Sequence, residues 1–408
     1  MVLTVNNQKI YYTELIILLA LMTSLGALSI DLQLPAMPLI LQSFGMTESN
    51  EQQWIITAYM LGFASAQIFY GPLSDSYGRK PILVFGLLVY IAASLACIFA
   101  ESYWMFLLAR ATQGVGAAAA RIMINAITRD FFKGNEMAKV TSLVMLIFIM
   151  VPVFAPSLGG LILWISEWHT ILYVFVGFGL LILIWSLMRL PESLKPEDKK
   201  DLNFTQLIDT FKRVISEPMS MTFAVISGVI FSGFMAYLNS AEQIFSQMYN
   251  EKDAFPMIFG MIAIFFGVAA FVNSKIVMIY GAMKVTYHAM IIMIASNLLA
   301  LTFTIYFKGL PPLWLFAVNL GIINICIGLV YGNVMAIAML PLGRMAGMGA
   351  SVIGMISAFL AAGIGIMISQ QLSNSIFPIT IGFLSTSILA FLLMYKYRNE
   401  VLTEPEHD

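Results

Sequence analysis

Asp31 and Arg110 are the residues whose type and placement promise chemistry. Asp31 lies inside the first long apolar run and is followed by Leu32-Gln33-Leu34-Pro35-Ala36-Met37-Pro38; Arg110 lies inside the fourth. A charge near the centre of a bilayer costs about 2.5–3.5 kcal/mol on insertion scales, so such residues face a cavity or a partner. Pro35 breaks the backbone ladder one turn after Asp31 and allows the helix to bend. Read from opposite directions across the membrane, Asp31 and Arg110 reach similar depths. A carboxylate and a guanidinium facing one cavity form a proton switch, because desolvation favours the neutral acid and a nearby Arg favours the carboxylate. Two plainer readings stay open. Asp31 lies about 25 Å along a helix from Glu14 and can snorkel to the outer interface, or the two residues can form a static ion pair.

Other candidates flank these two. Gln113, Gly114, Gly116 and the run Ala117–Ala120 follow Arg110 on the same span, and the small residues predict tight helix packing. Arg121 returns to nearly the face of Arg110 three turns on, where it faces the cavity or caps a polar packing layer. Glu242, late in the seventh span, suits a cavity or an interface position equally. The fifth span carries Pro152, Pro156, Gly159 and Gly160, which predicts a bent, closely packed helix without an ionisable group.

Gly71–Pro81 adds a different device: Asp75, Arg79 and Lys80 in a short hairpin between two apolar runs. Asp75 and Arg79 are four apart and can pair across a helical turn. Gly71 permits close helix approach, Gly78 a left-handed turn, and Pro81 the first turn of the next helix. The pattern fits an ordinary tight cytoplasmic loop or a conformational latch.

The elements that must position these residues follow from composition. Of 408 residues, 60% are hydrophobic and 11% charged, with a mean hydropathy of +0.88. A soluble domain carries about 25% charged residues, so lipid is the solvent for most of this chain. Net charge is −1, which argues against nucleic acid as a partner. Cys97 and Cys326 sit in opposite halves and read as buried hydrophobes, not as a disulfide or metal site. With His169, His288 and His407 the only histidines, none near a nucleophile, neither a metal centre nor an enzyme is expected.

A helix needs about 20 apolar residues to cross the hydrocarbon. Such runs are Glu14–Leu41, Gln53–Pro72, Ile82–Ala100, Trp104–Thr128, Met137–Leu163 and Thr170–Arg189, then Met219–Gln247, Phe255–Ile279, Thr286–Phe307, Leu313–Leu340, Met345–Gln370 and Ile376–Tyr395. The expectation is an all-α polytopic membrane protein of 12 transmembrane helices, with a six-helix bundle over 1–189, a linker over 190–218 and a second bundle over 219–408. The first run is too long for a signal-peptide core and is expected to be retained. In the linker, Phe204, Leu207, Ile208, Phe211, Val214 and Ile215 share one helical face opposite Asp209, Lys212 and Arg213. That predicts an interfacial amphipathic helix, either a plain linker or a regulatory or partner-binding surface. Only Lys252 and Lys308 of the 21 Lys and Arg fall on outer loops if both termini are cytoplasmic, while Arg110 and Arg121 lie within a span. Both termini, and the Gly71–Pro81 hairpin, are therefore expected inside. The equivalent stretch of the second half, Phe271–Lys284, keeps Tyr280-Gly281 and Lys284 but has Met278 at the acidic position.

These motifs together resemble the major facilitator superfamily. Gly71–Pro81 is similar to its loop 2–3 signature, Gly-x-Leu-x-Asp-x-x-Gly-Arg-Lys. Arg110-x-x-Gln113-Gly114 resembles the fourth-helix motif linked to proton coupling. Ala155-Pro156-x-x-Gly159-Gly160 resembles the fifth-helix motif of antiporters, with Ala155 in place of its first glycine. Ile30–Pro38, with Gln53, Tyr59–Phe63, Gln67, Tyr70–Pro72 and Arg129-Asp130, is similar to the bicyclomycin/chloramphenicol-resistance branch of bacterial drug:proton antiporters.

The resemblance implies two pseudo-symmetric six-helix bundles alternating access to a midplane site. It implies that Asp31 takes up a proton, that Arg110 tunes it, and that Asp75 holds the start of the eleventh span near Arg344–Gly347. Tyr59 and Gln67 then line the cavity with Gln113, Arg121 and Glu242, or face a packing interface. The function expected is proton-driven export of amphipathic small molecules by a monomer in a bacterial inner membrane, with the proton gradient and no cofactor as driver. Export of one endogenous metabolite or siderophore, proton-coupled import, and a non-transporting receptor are the alternatives.

Overall fold

The computed structural model of the protein describes residues 2–5, 8–199, 202 and 204–397. The chain divides into two compact units, Met1–Thr47 with Ala58–Phe211, and Glu48–Thr57 with Lys212–Asp408.

The first unit opens on an addition to the all-α expectation. A two-stranded antiparallel hairpin, β1 Val2–Val5 and β2 Gln8–Tyr11, pairs Val2 with Tyr11 and Val5 with Gln8. Its β-branched and aromatic residues favour strand over helix. Helices α1 Tyr12–Asp31 and α2 Met37–Ser43 are separated by a short 3₁₀ turn at Leu34–Ala36. Pro35 supplies no N–H for the carbonyl of Asp31 and Pro38 none for that of Leu34, so the ladder stops where the sequence predicts. Next come α3 Gln53–Tyr77, α4 Arg79–Ile98, α5 Tyr103–Phe131, α6 Gly134–Ile165 and α7 His169–Arg189. In this unit α1 packs against α5, α6 and α7, and α4 packs against α5 and α7.

The amphipathic linker helix forms as α8, Phe204–Ile215. Leu207, Phe211 and Val214 turn away from solvent, whereas Ile208 and Ile215 remain exposed; the side chain of Phe204 lies outside those described. The second unit holds α9 Pro218–Glu242, a π-helical turn at Gln243–Met248, α10 Phe255–Tyr280, α11 Ala282–Tyr306, α12 Leu313–Met339, α13 Ala346–Ser369 and α14 Phe377–Tyr395. There α9 packs against α12, α13 and α14, and α10 and α11 against α12.

Ten of the helical spans are long and apolar enough to cross a membrane. Helices α3 and α5, of 25 and 29 residues, have the length but fall outside that set. They are the two helices that carry Tyr59, Gln67, Arg110, Gln113 and Arg121, so the polar cargo of the candidate site is what lowers their apolarity. Their pairing depends on missing side chains. A Cβ at Gly114 would stand 2.0 Å from the Tyr59 carbonyl oxygen and 2.8 Å from the Phe63 nitrogen. Backbone atoms cannot swing aside, so Gly114→Val must push α3 from α5. We expect Gly114→Val to destabilise the purified protein by about 2–3 kcal/mol, read as a lowered Tm. Gly177→Val, where a Cβ meets nothing within 4 Å, should leave Tm nearly unchanged.

Candidate functional site

Asp31 is the last residue of α1, only 4% exposed, and its carboxyl makes no hydrogen bond or ion pair among the described residues. Helix α6 holds the chain open there. Pro152, Ala155, Pro156 and Gly159 recur at helical spacing on one face, and a Cβ at Gly159 would stand 2.1 Å from the Leu32 carbonyl oxygen. The bare glycine face therefore takes the backbone of the α1 break, which a side chain would displace. Gly160, next along α6, is half-buried.

Arg110 is fully buried on α5. Its Nη2 donates to the Ser29 carbonyl at 2.9 Å, its Nη1 donates to Gln113 Oε1, and its guanidinium lies 4.8 Å from the Tyr59 ring centre. Such partners, a carbonyl, an amide oxygen and an aromatic face, suit a desolvated cation. Gln113 is fixed in turn, donating through Nε2 to Ser94 Oγ at 2.7 Å. Ser94 donates to the Tyr90 carbonyl at 2.7 Å, and Tyr90 shares a 2.7 Å hydrogen bond with Ser29 Oγ. The ring closes through α1, α4 and α5. Sequence reading missed Ser29, Tyr90 and Ser94; the available signal was a Tyr and a Ser one turn apart on α4, inside an otherwise apolar stretch.

The structure thus brings Arg110, Gln113 and Tyr59 together beside the segment that ends in Asp31. It does not join Asp31 and Arg110 as an ion pair. Gln67 is buried but makes no hydrogen bond to this group, and Arg121 is half-buried and makes no ion pair among the described residues. Glu242 belongs to the second unit, buried at the end of α9.

The Gly71–Pro81 segment is not a hairpin loop. Helix α3 runs through Gly71, Pro72 and Asp75 to Tyr77, and α4 begins at Arg79. Gly78 alone makes the turn, with φ 109° and ψ 157°, a conformation that favours glycine. Arg79 is buried and binds Asp75 Oδ1 at 2.5 Å, Ser74 Oγ at 2.7 Å and Asp130 Oδ2 at 3.2 Å. Ser193 Oγ donates to Asp130 at 2.7 Å. Glu192 caps α4 from outside it, accepting from the Arg79 and Lys80 backbone nitrogens at 2.9 and 3.1 Å. Lys80 Nζ donates to the Leu187 carbonyl at 2.9 Å. The expected Asp75–Arg79 pair is present, and the cluster extends to Asp130 and Glu192. For Arg344, the expected partner region of Asp75, the side chain lies outside those described. Replacing Arg79 removes its ion pairs to Asp75 and Asp130; we expect Arg79→Gln to destabilise the protein by about 3 kcal/mol in thermal unfolding. Lys80→Gln, at a half-buried residue whose ammonium makes one exposed hydrogen bond, should cost less than about 1 kcal/mol.

Comparison with known proteins bears on the whole of this arrangement. The bicyclomycin resistance protein homolog of Haemophilus influenzae is 26% identical over 391 residues, covering 96% of this chain and 97% of its own length. Multidrug resistance protein MdtL of Escherichia coli is 28% identical over 374 residues, covering 90% of each. The structure of the xylose transporter XylE from E. coli superposes with a TM-score of 0.74 at 12% identity, over 95% of this chain and 98% of that one, a likeness of fold alone. The family model described as Major Facilitator Superfamily matches residues 19–366, and this multi-pass membrane transporter therefore belongs to the major facilitator superfamily.

Proposed function

We propose that the protein is a proton-coupled antiporter that exports amphipathic small molecules. The observation that carries this reading is the unpartnered, buried carboxyl of Asp31 at the α1 break. A carboxylate excluded from water and given no partner is held at high cost, so a proton or a cationic substrate that reaches it finds a ready site. Arg110 is bound to the carbonyl of Ser29, two residues before Asp31 in the chain. It makes no ion pair with the acid among the described residues. A site of this kind exchanges a proton for a substrate, since the two occupancies compete for one carboxyl.

Cargo and direction rest on the relatives. Both are described as resistance proteins, and export of toxic amphipathic molecules from the cytoplasm is the activity that such a description fits. The bias of Lys and Arg supports both termini on the cytoplasmic face of a bacterial inner membrane. In this reading the chain works as a monomer with no cofactor, the proton gradient supplying the driving force. Tyr59 and Gln113 shape the cavity around Asp31, and the Asp75–Arg79 cluster stabilises one of the alternating states.

In everted vesicles with an acid interior, addition of a transported drug such as chloramphenicol or a lipophilic cation should dissipate the pH gradient. Asp31→Asn should abolish that dissipation while the variant still inserts and melts normally. No dissipation with any member of a drug panel would remove antiport, and full activity in Asp31→Asn would remove the site assignment.

A further inference from the structure

The second unit contains a buried acid that the Asp31 site does not use. Glu242 closes α9 with 4% exposure. The helix then passes directly into the π-helical turn Gln243–Met248. A π turn stacks residues five apart, and Gln247 Nε2 accordingly donates to Glu242 Oε2 at 3.3 Å. Single π turns of this kind recur at functional sites because they interrupt regular packing.

Beside Glu242 stands a lattice built only of amides. Gln243 Nε2 donates to Asn50 Oδ1 at 3.0 Å, and Gln53 Nε2 donates to Gln243 Oε1 at 3.3 Å and to the Ser369 carbonyl at 3.0 Å. Asn50 Nδ2 donates to the carbonyls of Gln370 and Leu372, each at 2.9 Å. Gln370 Nε2 answers with bonds to the Asn50 carbonyl at 2.8 Å and Gln53 Oε1 at 3.1 Å. The lattice fastens the first residues of α3 to the ends of α9 and α13. Such uncharged bonds are strong only while water is excluded.

The charged surroundings of Glu242 are sparse. Helices α12, α13 and α14 carry no Asp, Glu, Lys, Arg or His. On the segment leading into α3 the titratable groups are Glu48 and Glu51, on α9 itself Tyr237, and after the π turn Tyr249, Glu251, Lys252 and Asp253. Lys252 is the cation whose field reaches Glu242, and Gln52, Ser246 and Gln247 are the polar side chains against it.

We propose that Glu242 is a second proton-binding site of the carrier, and that its protonation keeps the Asn50–Gln53–Gln243–Gln370 lattice closed. The neutral acid donates one hydrogen bond and leaves the bonds between amides in place. The carboxylate accepts only, drawing amide N–H groups and water to itself at the expense of the bonds between amides. Loss of the proton therefore frees the start of α3. The proposal does not depend on Asp31: a failure here leaves proton exchange at Asp31 untouched, and the reverse also holds.

The test is cross-linking of Ser49→Cys to Gln371→Cys, exposed neighbours of the bonded Asn50 and Gln370, in the full-length protein. Cys97 and Cys326 are buried and stay silent to a short bis-maleimide. Between about pH 5 and about pH 9, a range that spans the titration of a buried carboxyl, the yield should fall several-fold as the lattice opens. With Glu242→Gln added, it should stay high and flat; with Glu242→Asp, which keeps a titrating carboxyl in case the amide variant folds poorly, the fall should return. A fall that persists unchanged in Glu242→Gln, or a yield independent of pH in the Glu242 protein, overturns the proposal.

Discussion

An interrupted helix in a lipid-embedded protein must find partners for the backbone groups that it releases, because no water is present to take them. In this chain the interruption falls between Asp31 and Met37, where Pro35 and Pro38 each withhold an N–H. The first unit is organised around that gap. Gly159 of α6 lets the Leu32 carbonyl approach to a distance that any side chain would forbid, and Arg110 of α5 reaches the Ser29 carbonyl. Tyr90 and Ser94 on α4 complete the circle through Ser29 and Gln113. Three helices converge on one stretch of broken backbone.

The same constraint leaves Asp31 exposed to chemistry without exposing it to solvent. Had Arg110 reached the carboxyl, the two would form a static pair, costly to separate and hard to titrate. Its hydrogen-bonding capacity is instead directed to neutral groups, Ser29 and Gln113, with the face of Tyr59 as a third. The carboxyl of Asp31 is left without an ion pair among the described residues. In the proposed mechanism, that separation of cation and acid makes the site a switch and not a staple.

Much of this was legible in the sequence. Twelve long helices, the break at Pro35, the amphipathic α8 and the Asp75–Arg79 pair follow from apolar runs, proline placement and i,i+4 spacing, which are local rules. What local rules cannot supply is which carbonyl a buried Arg will choose. Arg110 and Asp31 look like natural partners at matched depth, and the static pair is the plainer expectation; packing of α5 on α1 decides for Ser29. Glu192 was similarly hidden. Among the many charges of the linker nothing marks it as the cap of α4, more than a hundred residues earlier, until the chain folds back. In Gly71–Pro81 the left-handed turn falls at Gly78 as the sequence predicts, but the turn is that one residue: α3 continues through Gly71 and Pro72 to Tyr77, and α4 starts at Arg79.

The central claim is that a proton and a substrate compete for one carboxyl at the α1 break. Proton release from the purified, detergent-solubilised protein on substrate addition, followed in weak buffer with a pH dye, tests it without membranes or gradients. The account predicts close to one proton released per protein at acid pH, and none from Asp31→Asn. Equal release from Asp31→Asn, or substrate binding to the native protein at acid pH with no release, would contradict it.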